Sequence, residues 1–287
     1  MAFDVYAAVT DRIIAQLEQG IIPWQKPWTG VQSGAISGAT GKPYSLLNQM
    51  LLGKSGEWYT WNQIQNLGGK VRKSEHSSMV VFWKQVPIKE TDPDTGKQEQ
   101  KLVPMLRYFN VFHVSQCEGI EPKTIDPEAF DPATDDTADA IIQGYLTRYG
   151  VTLEHIKGDE AFYSPAADRV QLPLREQFPN MAEYYSTAFH ELTHSTGHRS
   201  RLDRLSRRAF FGNEEYSKEE LVAEIGAASL LNYVGIETES SFKNSAAYIQ
   251  SWLRALRNDK KMIVTAAGAA GKAFEMITGT GAFAPVA

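Results

Sequence analysis

The sequence predicts an α+β fold in two domains: an α/β unit over residues 1–125, an acidic linker over 126–140, and a second unit over 141–287 built on a helix that carries two histidines. Three observations predict it. At 287 residues the chain is too long for one small core. Strand-like apolar runs fill the first half, and helix-like runs dominate the second. Charge is also uneven, with twelve Lys or Arg against ten Asp or Glu in residues 1–120, and seven acidic residues against one Lys in 121–140.

The opening segment MAFDVYAAVTDRIIAQLEQG alternates polar with apolar positions and reads as an amphipathic helix. Its early acidic residue is unlike a signal peptide, and no apolar run approaches the roughly 18 residues that span a bilayer. The single cysteine, Cys117, excludes an internal disulfide and a cysteine metal cluster, and reads as a buried or incidental thiol. These features predict a cytoplasmic protein with no membrane partner.

Five of the six tryptophans precede residue 84, interleaved with tyrosines and cations. Rings that stack on bases beside cations that track phosphates are what single-stranded nucleic acid requires. Trp24, Trp28, Lys42, Tyr44, Lys54, Trp58, Tyr59, Trp61, Lys70, Arg72, Lys73, Trp83 and Lys84 are therefore candidate DNA contacts. The same aromatics would equally fill a small core, and composition leaves both readings open. MVVFWKQVPI and LRYFNVFHV are apolar enough to be buried strands, and the polar insert KETDPDTGKQEQK between them predicts a long hairpin loop. The next stretch, EPKTIDPEAFDPATDDTADA, is rich in Pro, Thr and Ala, and reads as a solvated connector giving way to a helix near Asp139.

In the second half, EAFYSPAADRVQLP predicts a hairpin that turns around Ser164–Ala167 and returns over Asp168–Leu172. FPNMAEYYSTAFHELTHSTG then supplies a helix, with Asn180 as N-cap, Glu183 at the capping-box position and Gly197 in a left-handed terminal conformation. Its last two turns hold His190-Glu191-Leu192-Thr193-His194, an HExxH motif. Histidines four apart share one helix face, so both can reach one divalent ion, zinc first and manganese second. Glu191, one residue on from His190, is placed to act on water at the metal as general base.

A catalytic metal also needs a third protein ligand. His198 directly follows Gly197, where the related histidine-rich pattern leaves two residues between them, so a capping or supporting role fits it better. The next helix, YSKEELVAEIGAASLLNYVG, offers Glu219, Glu220 and Glu224, and carboxylates on a mostly apolar helix need a reason to be there. Ser217 and Glu220 have capping-box spacing, which would tie Glu220 to its own helix end. SAAYIQSWLRALRNDKKMIVTAAGAAGKAFEMI predicts one or two further amphipathic helices. GAAGK is not a phosphate loop, because Ala266 and Ala273 replace its glycine and its Ser or Thr.

Glu220-Leu-Val-Ala-Glu224 resembles the Glu-x-x-Ala-acid pattern of several HExxH families. That resemblance implies Glu220 as third ligand and Glu224 as the residue that orients a ligand histidine, with Glu224 the alternative ligand if Glu220 caps. More broadly, PWQKPW, GKPYSLLNQMLL, WYTWNQIQNLGGKVRK, VVFWK and RYFNVFHVSQ resemble the N-terminal domain of ArdC-type antirestriction proteins and of conjugative primases such as TraC. FYSPAADRVQLP, HELTHSTGH, RLDR and YSKEELVAE resemble the zincin-like metallopeptidase domain of the same proteins. The resemblance spans nearly the whole chain. It implies an N-terminal single-stranded DNA-binding domain with some affinity for duplex DNA, a metallopeptidase domain, and protection of incoming plasmid DNA from restriction during conjugation. The sequence itself names no substrate; a restriction enzyme, a repressor or a host factor are the candidate protein substrates. Two other readings use the same residues: a regulatory metallopeptidase that cleaves a repressor or host factor, and a DNA-binding shield whose metal is structural. An intact Glu191 favours an enzyme, since a structural site needs ligands only.

Overall fold

In the computed structural model, the described residues are 3–24, 34–91, 98–122, 135–205, 214–236 and 245–280. The first half holds the helices α1 (Val5–Glu18), α2 (Leu46–Leu52) and α3 (Trp61–Asn66), with strands β1 (Ala35–Ser37), β2 (Gly56–Thr60), β3 (Lys70–Val71), β4 (Ser78–Thr91), β5 (Gln98–His113) and β6 (Cys117–Glu118). Its main sheet has the order β1-β2-β5-β4, with β1 parallel to β2 and the other pairs antiparallel, while β3 and β6 form a separate pair. The second half holds α4 (Asp135–Tyr149), β7 (Thr152–His155), β8 (Phe162–Ser164), β9 (Arg169–Leu172), α5 (Met181–Thr196), α6 (Glu214–Tyr233), α7 (Ser245–Asn258) and α8 (Met262–Thr278), with a sheet of order β7-β9-β8. The mixed α and β architecture is as the sequence predicts.

Local chemistry explains the elements. Asp4 caps α1 by accepting from the Ala7 N–H, and Val9, Ile13 and Leu17, spaced four apart, bury one face. On α2, Asn48 and Gln49 are buried polar residues with backbone partners. Asn48 donates to the Val81 carbonyl and accepts from the Val81 N–H, both at 2.8 Å. Gln49 accepts from the Ala35 N–H and donates to the carbonyls of Ala35 and Tyr44. One short helix thus satisfies backbone groups on both edge strands, β1 and β4, which explains two polar side chains within an apolar run.

Three of the sequence expectations change here. Strand pairing continues to Thr91 and Gln98, so most of the KETDPDTGKQEQK insert is strand, and residues 92–97 lie outside the described residues. The two long strands are also buried only in part: Val80, Val81, Leu106 and Val111 are in the core, whereas Trp83, Leu102, Met105, Tyr108 and Phe109 face solvent. The helix expected near Asp139 begins four residues earlier, at Asp135, and residues 123–134 of the connector lie outside the described residues.

The two largest buried clusters hold these elements together. One packs Tyr184, Tyr185, Phe189 and Leu192 of α5 against α4, α6 and α8. The other joins α1, α2 and the bases of β4 and β5 to α6, α7 and α8, with the Trp24 and Trp252 rings 5.0 Å apart edge to face. The first half therefore closes its apolar surface on helices of the second.

Candidate metal centre

Asn180 starts α5 as predicted, its side chain accepting from the Glu183 N–H at 2.9 Å. The sixteen residues of the helix turn Tyr184, Tyr185, Ala188, Phe189 and Leu192 into the core. That orientation puts His190 and His194 on the adjoining face, where α6 crosses. The β8–β9 hairpin is fixed to the end of α5 by Arg201. Arg201 donates to both Asp168 carboxylate oxygens, to the Tyr163 hydroxyl and to the Ser195 carbonyl. Asp168 ends the hairpin turn at φ 48, a left-handed conformation that Asp tolerates. The left-handed conformation expected of Gly197 is not found: it has φ −77 and ψ −4. Glycine is needed there for close approach instead, since a Cβ would lie 2.9 Å from Leu205 and 3.1 Å from the His194 carbonyl.

The structure brings His190, His194 and Glu220 together. The two Nε2 atoms are 3.1 Å apart, and the Glu220 oxygens lie 3.7 Å from His190 Nε2 and 3.5 Å from His194 Nε2. Ligands bonded to one zinc-sized ion at about 2.0–2.1 Å in tetrahedral geometry sit roughly 3.3 Å from each other. The edge between the two imidazoles is close to that value, each imidazole has a different Glu220 oxygen within 3.7 Å, and the donor set of two imidazole nitrogens and one carboxylate suits a divalent cation. Glu191 is 8% exposed and follows His190 directly.

The capping reading of Glu220 fails, because α6 begins at Glu214 and Ser217 is already inside it. The residue that orients a ligand histidine also differs from the one expected. Glu224 Oε1 is 3.8 Å from His190 Nδ1, too far for a hydrogen bond. Glu219 Oε1 lies 3.3 Å from His194 Nδ1 and accepts from Arg204 at 2.9 Å, while its Oε2 accepts from Arg204 Nε at 3.2 Å. Arg204 also donates to the Thr193 carbonyl and the Thr196 hydroxyl, so it ties α5 to α6. A carboxylate on Nδ1–H leaves Nε2 free to bind, the usual support of a metal-bound histidine. Sequence reasoning named Glu219 without a role and missed Arg204, although Arg204 closes the RLDR segment. His198 stays outside the cluster, its Nδ1 paired with the Ser200 hydroxyl at 2.7 Å.

Electrostatics point the same way. Burial disfavours a charged His190, yet Glu220, Glu224 and Glu191 outweigh it and push its pKa up to about 9. Burial also opposes ionisation of Glu219 and Glu220, but His194 with Arg204, and His190 with His194 and the Tyr216 hydroxyl, hold them below the usual carboxylate range. Burial and the like charge of Glu220 raise Glu224. A divalent cation held by His190, His194 and Glu220 would neutralise this surplus of carboxylates.

Helix proximity makes one substitution informative. A Cβ on Gly226 of α6 would lie 2.6 Å from Thr193 Cγ2, and Thr193 is fully buried with its hydroxyl held by the Phe189 carbonyl at 2.7 Å. Alanine gains up to about 1 kcal/mol of helix propensity, but overpacking costs about 1–3 kcal/mol. Gly226→Ala is expected to lower the melting temperature of the metal-free protein and weaken metal binding, since α6 carries the carboxylates. An unchanged or raised melting temperature contradicts the close packing of α5 on α6.

The candidate DNA contacts separate by burial. Trp24, Tyr44, Trp58 and Tyr59 are each under 5% exposed, so they are core residues and not stacking platforms, a correction to the composition argument. Trp24 packs on Trp252, Trp58 packs edge to face on His113, and the Tyr59 hydroxyl donates to Glu57 at 3.2 Å. Trp28 lies outside the described residues. Trp61 and Trp83 are about half exposed, and Lys42, Lys54, Lys70, Arg72, Lys73 and Lys84 face solvent. Lys54 donates to the Ser115 hydroxyl at 2.8 Å. No described helix is long and apolar enough to cross a membrane.

Comparisons with known proteins match both halves of the chain. A family model described as the N-terminal domain of anti-restriction factor ArdC matches residues 3–112, and one described as a zincin-like metallopeptidase matches residues 138–269. The chain is 34% and 36% identical to two Escherichia coli proteins named DNA primase TraC, over 95% and 92% of its own length. It spans only 20% and 26% of those primases. It is 32% identical to the protein y4eC of Sinorhizobium fredii, covering 93% of this chain and 89% of that one. Two crystal structures of the antirestriction protein ArdC from the R388 plasmid superpose on it. The metal-free one has a TM-score of 0.74 at 37% identity and the Mn(II)-bound one 0.75 at 35%, each covering 96% of this chain and 97% of that one.

Proposed function

This chain belongs to the ArdC family of antirestriction proteins, and we propose on that premise that it binds single-stranded DNA and protects incoming plasmid DNA from restriction during conjugation, with a metallopeptidase site in its second half. The observation that carries the peptidase reading is Glu191 beside the His190–His194–Glu220 cluster. The division of labour falls at residues 126–140, with DNA contacts before it and the metal site after it.

His190 Nε2, His194 Nε2 and one Glu220 oxygen would hold a single divalent ion, zinc by its donor set; manganese is the metal bound in one solved relative. When bound, such an ion lowers the pKa of water and polarises a carbonyl. The protein's own groups do the rest. The Glu191 carboxylate takes the proton of the attacking water and returns it to the departing amine nitrogen, which explains its near-complete burial beside the ligands. Glu219, held by Arg204, fixes the His194 ring. The outer edge of β8, beside α5 and paired with no further strand among the described residues, offers backbone groups to an extended peptide by strand addition. The protein substrate is a restriction enzyme, a repressor or a host factor. In the first half, the exposed Trp61, Trp83 and cations supply stacking and phosphate contacts for single strands, and more weakly for duplex DNA.

The test is conjugative transfer into recipients with and without a restriction system. The protein is expected to raise transfer into the restricting recipient alone. Equal transfer into both, with or without the protein, refutes the antirestriction role.

A further inference from the structure

Beyond Val111, β5 has no neighbour in the sheet except β4 among the described residues, because β2 pairs only with Val111–His113. The two strands therefore leave the sheet as a ribbon. Cross-strand register sorts its side chains. One face carries Met79, Val81 and Leu106 and packs on the helices. The opposite face starts from Val80 and Val111 in the core of the first half, and continues outward through Phe82, Phe109, Arg107 and Lys84. There the Phe82 and Phe109 rings stack in parallel, 4.6 Å apart and 7° from coplanar, with Phe109 47% exposed. Arg107 lies directly opposite Phe82, and Lys84 lies two residues beyond Phe82 on the same face. These residues line one groove of about 440 Å³.

The ribbon is basic on balance, unlike the whole chain: β4 and β5 carry Lys84, Lys89, Lys101 and Arg107 against Glu90 and Glu99, which pair with each other at the far end, whereas the whole protein has a formal net charge of −5. Neither Lys84 nor Arg107 forms an ion pair among the described residues. A stacked pair of rings whose outer member, Phe109, is exposed, flanked by two such cations, is a surface for a flat aromatic partner that carries its own negative charge. Diagonal positions on one ribbon face are about 7–8 Å apart, comparable to the distance between successive phosphates of an extended strand.

We infer that the Phe82–Phe109 face of the β4–β5 ribbon is a single-stranded DNA contact, with a base stacking on Phe109 and with Arg107 and Lys84 holding the adjoining phosphates. This rests on the single-stranded DNA reading above and joins Lys84, a candidate from composition, to Phe82, Arg107 and Phe109, which composition did not single out. Of the aromatics proposed from the sequence, only Trp83 belongs to the ribbon, and its ring lies on the other face against Tyr6.

Fluorescence anisotropy of a labelled oligothymidylate with the full-length protein tests it. Phe109→Ala is expected to weaken binding at least about five-fold, and Phe109→Trp to retain it. Lys84→Gln with Arg107→Gln, which leaves both rings in place, is expected to flatten the dependence of log affinity on log salt by about 1.4. Leu67→Ala, at an exposed position on another part of the surface, serves as control. If the native protein binds and the ribbon variants match it in affinity and salt slope, the ribbon assignment is overturned and the single-stranded DNA reading stands. If the native protein does not bind, both fall. If sedimentation shows that the ribbon variants instead dissociate a dimer, the face joins two copies and the assignment is likewise overturned.

Discussion

Glu191→Gln is expected to keep its metal and to lose peptide-bond hydrolysis by about two to four orders of magnitude. The substitution preserves size and leaves His190, His194 and Glu220 in place, but an amide cannot take a proton from water. The comparison needs metal-loaded protein, with unfolded casein and a restriction endonuclease as substrates, followed by mass spectrometry of the fragments. Equal hydrolysis by the native protein and the variant refutes Glu191 as the base. The same variant in the conjugation assay separates two roles, since retained protection would mean that antirestriction runs through DNA binding and not through hydrolysis.

His190→Ala is expected to reduce metal content from about one ion per chain to nearly none. Removing that imidazole deletes one ligand and leaves Glu220 and Glu224 facing each other without a cation. A second readout is stability. Metal at a hundred times its dissociation constant should add about 2.7 kcal/mol to the native protein. It should add almost nothing to the variant. Undiminished metal in His190→Ala, measured by elemental analysis, contradicts the assignment of this cluster.

The metal helix was legible because its information is local. Asn180 caps by reaching three residues ahead, and histidines four apart must share a face, so both follow from helix geometry alone. The β8–β9 hairpin was legible for the same reason. Whatever depends on a partner was not. Helical spacing puts Glu219, Glu220 and Glu224 on one segment, yet which of them meets His194 depends on where α6 begins and how it crosses α5. The helix starts at Glu214, three residues before the Ser217 cap that the sequence suggested. Gly226 against Thr193 fixes the crossing, and no one-dimensional pattern records that contact. Arg204 acts across fifteen residues of sequence to hold Glu219.

The aromatic residues of the first half show the same limit. Composition counted Trp24, Tyr44, Trp58 and Tyr59 with Trp61 and Trp83, but only packing tells a core ring from a surface ring. A strand alternation can imply exposure on one face. It could not show that β4 and β5 outrun their sheet, which is why Phe82, Arg107 and Phe109 went unnamed. Gly197 is a smaller case: glycine at a helix end suggested a left-handed turn, whereas the contact with Leu205 and the His194 carbonyl is what excludes a side chain.

The dissociation constant of zinc, measured by competition with a chromogenic chelator on three alanine variants of α6, tests the metal centre most directly. Glu220→Ala removes a ligand and is expected to weaken binding more than about 100-fold. Glu219→Ala removes the support of His194 and is expected to weaken it by about 10- to 100-fold. Glu224→Ala, which has no hydrogen bond to either histidine, is expected to cost less than about ten-fold. A larger loss for Glu224→Ala than for Glu220→Ala would contradict the assignment of Glu220 as the third ligand.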